Sequence, residues 1–380
     1  MTPTDLTTLS VRSTPDLLAA VPYLLGFHPA DSAVVVALRG PRIVFVARGD
    51  LPDPVPPDPD PAAPGPARAG IGEPGGGPDG PGGLAARLTA VVARQDVDAT
   101  IVVGYGTPDR ADPMLGALYV ALDEVGLPVL DVLRVTGNRY WSYACADPGC
   151  CPPEGTPFDT STSQLAAAAT FAGQVALPDR DTLVRQLDPV DGPARYAMRE
   201  ATRRARNRLQ RLLDRASAAD PRGRRRVDPR HRPKDGPRGR QGVVRRAGRS
   251  AVSLAMRRYR AGGRLTDDEV AWLSLLLLHQ PTRDDAWRRT DGEDWQLALW
   301  TDVLRRAEPE LVAAPASLLA FAAWCAGQGA LANVAVERAL DARPDYPMAL
   351  LLSRALRAGM PPYALDDRPL PWSDGDGPAA

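Results

Sequence analysis

Leu17, Leu18, Val21, Leu24 and Leu25 recur at the three-to-four-residue spacing of an amphipathic helix. Thr14 can cap that helix with Pro15 at its first position, and Gly26 ends it. Pro22 inside the stripe predicts a kink or an early stop. The unbroken apolar run 33–38 reads as a buried strand, and 43–47, across the turn Arg39-Gly40-Pro41-Arg42, as its antiparallel partner. The pattern then predicts helix at 84–94, strand at 100–103, helix at 113–125, strand at 129–135 and a short strand at 140–144. Strands alternating with helices give a layered α/β domain, its sheet mixed because of the hairpin. Beyond residue 160 the period is helical, in the stretch Ser163-Gln164-Leu165-Ala166, over 195–216, and from 250 to about 358.

Two segments break this pattern. Residues 51–83 hold 20 prolines and glycines in 33 positions, and residues 220–248 are rich in Arg, Gly and Pro with almost no apolar side chains. Neither can bury enough apolar surface to offset the entropy of ordering, so both are expected to be disordered insertions. The expected organisation is an α/β domain at 1–50 plus 84–160, an all-helical domain at 161–219 plus 249–363, and a flexible tail at 364–380.

Composition adds one asymmetry. The 380 residues carry 46 basic and 46 acidic side chains, but residues 199–264 hold 23 of the basic ones and only five acidic ones. Clustered arginines can neutralise phosphates without reading sequence, so this segment is a candidate nucleic-acid contact; the bland alternative is a solvated helix face plus a charged linker. Tyr196 and Tyr259 are the aromatics near it, too few for base-stacking platforms. Lys234 is the single lysine against 45 arginines, the mark of a GC-rich genome, in which arginine is the default cation. The start of the chain lacks the basic, then apolar, pattern of a leader, and no apolar run approaches the roughly 20 residues of a membrane span. A soluble cytoplasmic protein with reduced cysteines, and no membrane partner, is expected.

Three of the four cysteines, Cys145, Cys150 and Cys151, fall within seven residues. Structural zinc takes four ligands, so the cluster is one short, with His28 the plausible fourth. Adjacent cysteines are expected to point apart, which favours a tight structural turn of free thiols over a zinc site or a redox pair; all three readings stay open. His28 and Asp31, in the segment from Gly26 to Ser32, could form an acid–base pair at the sheet edge, or a turn in which Asp31 caps a backbone N–H. Gly104 and Gly106 follow a strand and precede a helix, where α/β sheets bind ligands, but a lone Gly-x-Gly is a weak signal.

The stretches DLLAAVPYLLGFHPADSAVVVAL, TIVVGYG and RYWSYACADPGCCPPEGTP, with the alanine-rich helical segment from Leu318 to Pro362, together resemble the actinobacterial domain-of-unknown-function family 4192. The resemblance covers most of the chain outside the two insertions. It implies kinship and leaves activity open. Ala332, Val336, Ala339, Leu340 and Pro344 also resemble the second half of a tetratricopeptide repeat. Two functions follow as expectations. The first is a non-enzymatic interaction or regulatory protein, with a helical domain docking a protein partner and a basic arm. The second is a small-molecule- or metal-binding module, enzymatic or not, with its site among His28, Asp31, Gly104, Gly106 and the cysteines.

Overall fold

The computed structural model describes residues 13–53, 80–160, 163–171, 174–218 and 239–362. The greater part of both expected insertions, and the tail, lie outside the described residues. The chain divides into two compact units, Met1–Arg180 with Arg357–Met360, and Asp181–Leu356 with Pro361–Ala380.

The first unit is a mixed six-stranded sheet. Its strands are β1 (Ser32–Arg39), β2 (Arg42–Asp50), β3 (Ala99–Tyr105), β4 (Val129–Thr136), β5 (Arg139–Ser142) and β6 (Thr156–Pro157), in the order β2-β1-β3-β4-β5-β6. Only β3 and β4 run parallel, joined by helix α3 (Pro108–Glu124); every other neighbouring pair is antiparallel. Alternation along the strands sorts side chains to two faces. Ala33, Val35, Ala37 and Val102 pack with Leu84, Leu88 and Val92 of α2 (Pro81–Val92) and with Met114, Leu115, Leu118 and Leu122 of α3. Val34, Val36, Val103, Tyr105, Leu133 and Val135 face Leu17, Leu18 and Val21 of α1 (Thr14–Leu25). Helices on both faces explain why β1 is buried from Ser32 through Leu38 and reads as a continuous apolar run.

Three local expectations are corrected here. Ser13, not Thr14, is the N-cap of α1, its hydroxyl accepting from Asp16 N–H at 3.3 Å. Pro22 does not stop the helix early: it runs through that buried residue to Leu25. And α3 starts at Pro108, five residues before the expected position, with Pro113 in its interior. Helix α4 (Gln164–Phe171) packs against α1 in the first unit, and Phe27 bridges to Leu177.

The second unit is helical in its described residues. Its helices include α5 (Arg180–Arg185), α6 (Gly192–Ala218), α7 (Arg240–Arg260), α8 (Asp267–Leu276), α9 (Gln280–Trp287), α10 (Asp294–Arg306), α11 (Ala313–Cys325), α12 (Gly329–Ala342) and α13 (Pro347–Arg357). Every residue of α11 from Ala313 to Trp324 is buried, so it forms the centre, flanked by α10 and α12. Trp300 on α10 is fully buried and its indole N–H donates to Thr290 Oγ1 at 3.3 Å. Helix α7 begins at Arg240, inside the stretch that reads as linker. Its Gly248 sits so close to α9 that an added Cβ would overlap Thr282.

Candidate functional site

Four of the candidate residues lie at or beside one end of the sheet. Gly104 pairs with Ala33 on β1 and Arg134 on β4, and a Cβ on it would lie 3.1 Å from Leu115 and 3.2 Å from Ala111. Its small size therefore lets α3 lie close on β3. Gly106 has φ 154°, and a Cβ there would meet Leu51 at 3.1 Å and Asp31 Oδ1 at 3.5 Å. Asp31 itself has φ 42°, a left-handed conformation that Asp tolerates better than most residues. Its carboxylate pairs with Arg110 of α3 at 2.7 Å, and its carbonyl accepts from Leu51 N–H at 2.8 Å. So Asp31, Gly106 and Arg110 do converge. The side-chain partner of Asp31 is a guanidinium, not the expected backbone N–H. The carboxylate is 60% exposed, so the pair is worth at most about 1 kcal/mol. His28 is exposed, and what fixes it is main chain: its N–H donates to Leu177 O at 2.8 Å, while Leu177 N–H donates to Gly26 O at 2.9 Å.

The thiol loop is built separately, between β5 and β6. Both strands clamp it. Trp141 Nε1–H donates to Pro153 O at 3.0 Å, and Arg139 donates to Gly155 O at 2.6 Å. Gly155, at φ 82°, lies under the Trp141 indole, where a Cβ would sit 2.5 Å from the ring. Within the loop Asp147 organises a tight turn. Its side chain accepts from Gly149 N–H at 2.8 Å, and its carbonyl accepts from Cys150 and Cys151 N–H at 3.1 and 2.7 Å. That turn swings the last two cysteines back towards the first, and the three sulfurs lie within 4.8 Å of one another.

The expectation that Cys150 and Cys151 point apart is overturned. Opposed side chains belong to extended backbone, whereas successive residues of a helical turn diverge by only about 100°. All three cysteines are free thiols, Cys150 exposed and the other two partly buried. Cys145 is held below the ordinary thiol range, first by a hydrogen bond from Cys151 and then by the backbone N–H of Asp147. Cys151, as the donor to Cys145, is pushed up to about 12. One sulfur is thus favoured as a thiolate by its neighbours. Tetrahedral zinc with Zn–S bonds of about 2.3 Å needs sulfurs about 3.8 Å apart, so the observed spacing requires only a small contraction. Among the described residues, His28 is not part of this group; it is three thiols.

Several residues that support the loop escape the sequence reading. Arg134, 8% exposed in the middle of β4, stacks over Trp141 with its guanidinium 4.1 Å from the ring centroid and lies 3.8 Å from Asp112 of α3. Tyr143 O–H donates to Asp112 at 2.6 Å, and burial together with that carboxylate pushes the phenol up to about 12. Ser142 O–H donates to Asp131 at 2.7 Å. A charge inside the apolar strand 129–135 was the available signal, because buried arginine is rare without a partner.

The described parts of the basic segment lie on α6, on α7 and in the turn that follows α7, and the arginines of these helices meet acids and rings. Arg195 of α6 meets Glu308 at 3.3 Å, Arg204 meets Asp268 of α8 at 2.7 Å, and Arg206 meets Glu310. Arg258 of α7 pairs with Glu269, while Arg208 and Arg260 lie over the rings of Trp272 and Trp295. Among the described residues no helix is long and apolar enough to cross a membrane.

A family model described as "Domain of unknown function (DUF4192)" matches residues 15–363, nearly the whole chain. The chain belongs to this family. The match runs through both units, so α/β sheet and helices together are the DUF4192 unit. No curated protein and no solved structure matches the chain.

Proposed function

We propose that this DUF4192 protein is a binding protein of regulatory type whose α/β unit holds one thiophilic divalent ion, of the zinc class, on Cys145, Cys150 and Cys151. The observation that carries the reading is the convergence of the three sulfurs on one turn, within 4.8 Å. Three thiolates leave one tetrahedral position open, to be filled by water, a small thiol or a partner's side chain. In this reading the residues of the chain divide the work. Asp147 sets the turn, Cys145 supplies the readiest thiolate, and Trp141, Arg139 and Gly155 fix the loop ends. Metal binding then orders the loop, and the ordered loop is what a partner meets.

The test is metal content. Full-length protein purified under reducing conditions without added metal should carry one equivalent of zinc by native mass spectrometry, and Cys145→Ser should lose it. Because binding displaces thiol protons, above all from Cys151, affinity should rise about tenfold per pH unit for each proton released, and fall as pH is lowered. No bound metal, together with no competition against a colorimetric zinc chelator, overturns the proposal.

A further inference from the structure

Helix α7 carries a second cluster, of opposite character. Arg249, Ser250, Ser253 and Arg257 line an open groove of about 390 Å³, completed by Arg289 from just beyond α9. Arg249 and Arg257 lie eight residues apart on α7, with Ser250 and Ser253 between them, and Arg289 closes the groove from the side of α9. The groove lies wholly within the second unit and is independent of the thiol loop.

Its charges are only partly matched. One carboxylate serves two of the three arginines. Asp285, itself 10% exposed, takes Arg289 at 2.8 Å and lies 4.0 Å from Arg249. Arg289 also donates to Ser253 Oγ at 2.9 Å, which aims its guanidinium along the wall of the groove. Arg257 has neither a carboxylate nor a ring partner among the described residues, unlike its neighbours Arg258 and Arg260. Three guanidiniums against one carboxylate leave the groove with a net charge near +2.

We infer that this groove binds a phosphate monoester. A carboxylate ligand has two oxygens and one charge, and would leave most of these donors unmatched. A phosphate monoester brings three acceptor oxygens and a charge of about −1.5 to −2 at neutral pH, which matches the groove in both donors and sign. Arginine forks suit phosphate geometry, and the two serine hydroxyls add short-range donors. The volume exceeds that of a phosphate alone and leaves room for the organic group that carries it. A nucleic-acid phosphodiester offers one charge per phosphate and would engage the groove one phosphate at a time, with no use for the site's second excess charge.

Isothermal titration of the full-length protein at low ionic strength, with phenyl phosphate, inorganic phosphate and a 20-residue single-stranded DNA as probes, decides the matter. Phenyl phosphate is expected to bind with 1:1 stoichiometry. Arg257→Gln should weaken it at least about tenfold, the loss of one charged hydrogen-bond partner. Arg257→Lys, which keeps the charge without the fork, should fall between. Arg257 is exposed and without a protein partner among the described residues, so the thermal midpoint of the ligand-free variant should be unchanged. Absence of phenyl phosphate binding at 10 mM, or equal binding by Arg257→Gln, overturns the inference. So does DNA binding that depends on Arg257 while the monoester fails to bind, which would make the groove a nucleic-acid contact.

Discussion

In the α/β unit single arginines of α3 and β4 each face one carboxylate, whereas in the helical unit arginines run the length of two helices. Arg110 meets Asp31, and Arg134 meets Asp112 and lies over Trp141, whose indole N–H holds the thiol loop at Pro153. Along α6 and α7 four arginines, Arg195, Arg204, Arg206 and Arg258, meet acids from other parts of the second unit: Glu308, Asp268, Glu310 and Glu269. The lesson is about reading charge. The excess in residues 199–264 is partly a property of the sequence interval, because the counter-charges of Arg204, Arg206 and Arg258 arrive from 11 to 104 residues downstream. One place where described arginines outnumber their carboxylates is the groove around Arg257.

The contrast can be broken from its strongest point. Trp300→Ala empties a fully buried site in the core of the helical unit and removes the indole N–H donor to Thr290, and should cost about 3–5 kcal/mol in urea unfolding. If the units hold their cores independently, zinc content of the thiol loop should survive this change at temperatures where the variant remains folded. Next in size is Gly155→Ala. It forces a side chain into a left-handed conformation and against the Trp141 ring, so a loss of about 2–3 kcal/mol is expected, with lowered zinc retention. Unchanged stability there would mean that the loop is not clamped by β5. The smallest effect sharpens the comparison most. A double-mutant cycle on Arg204 and Asp268, both more than half exposed, should give a coupling below about 1 kcal/mol. A larger coupling would make the arginine ladder a stability device and not merely a neutralised surface.

Strands β1 to β4 were legible because each carries its period openly. The run Ala33-Val34-Val35-Val36-Ala37-Leu38 can only be a strand covered on both sides, and it is. The mixed α/β unit followed by helices was likewise readable from alternation and period. What escaped has physical causes. Strand β6 is two residues long and has no period to detect. The first turns of α7 read as linker because Gly242 and Gly248 sit among arginines; the structure needs Gly248 small to lie against Thr282. At the site, the cysteines, Asp31 and the glycines were singled out, but not their relations. Whether Cys150 and Cys151 diverge or converge depends on backbone torsions at a turn, which residue types alone leave undetermined. The partner of Asp31 was invisible for another reason: Arg110 is 79 residues away in sequence and reaches it only because β1 and β3 are neighbours.

The Phe27–Leu177 bridge has a consequence for how the protein is made. Helix α1 and strand β1 leave the ribosome before their partners β3, β4 and Leu177, which follow up to about 150 residues later. At elongation rates of about 5–20 residues per second, the apolar start of the chain waits roughly 8–30 s for its last contact. Until β3 is made, the hairpin of β1 and β2 exposes an unpaired edge on β1 and the face that α2 and α3 later cover. The nascent first unit is therefore a natural client for ribosome-associated chaperones, and slowing synthesis between residues 50 and 130 should increase its aggregation.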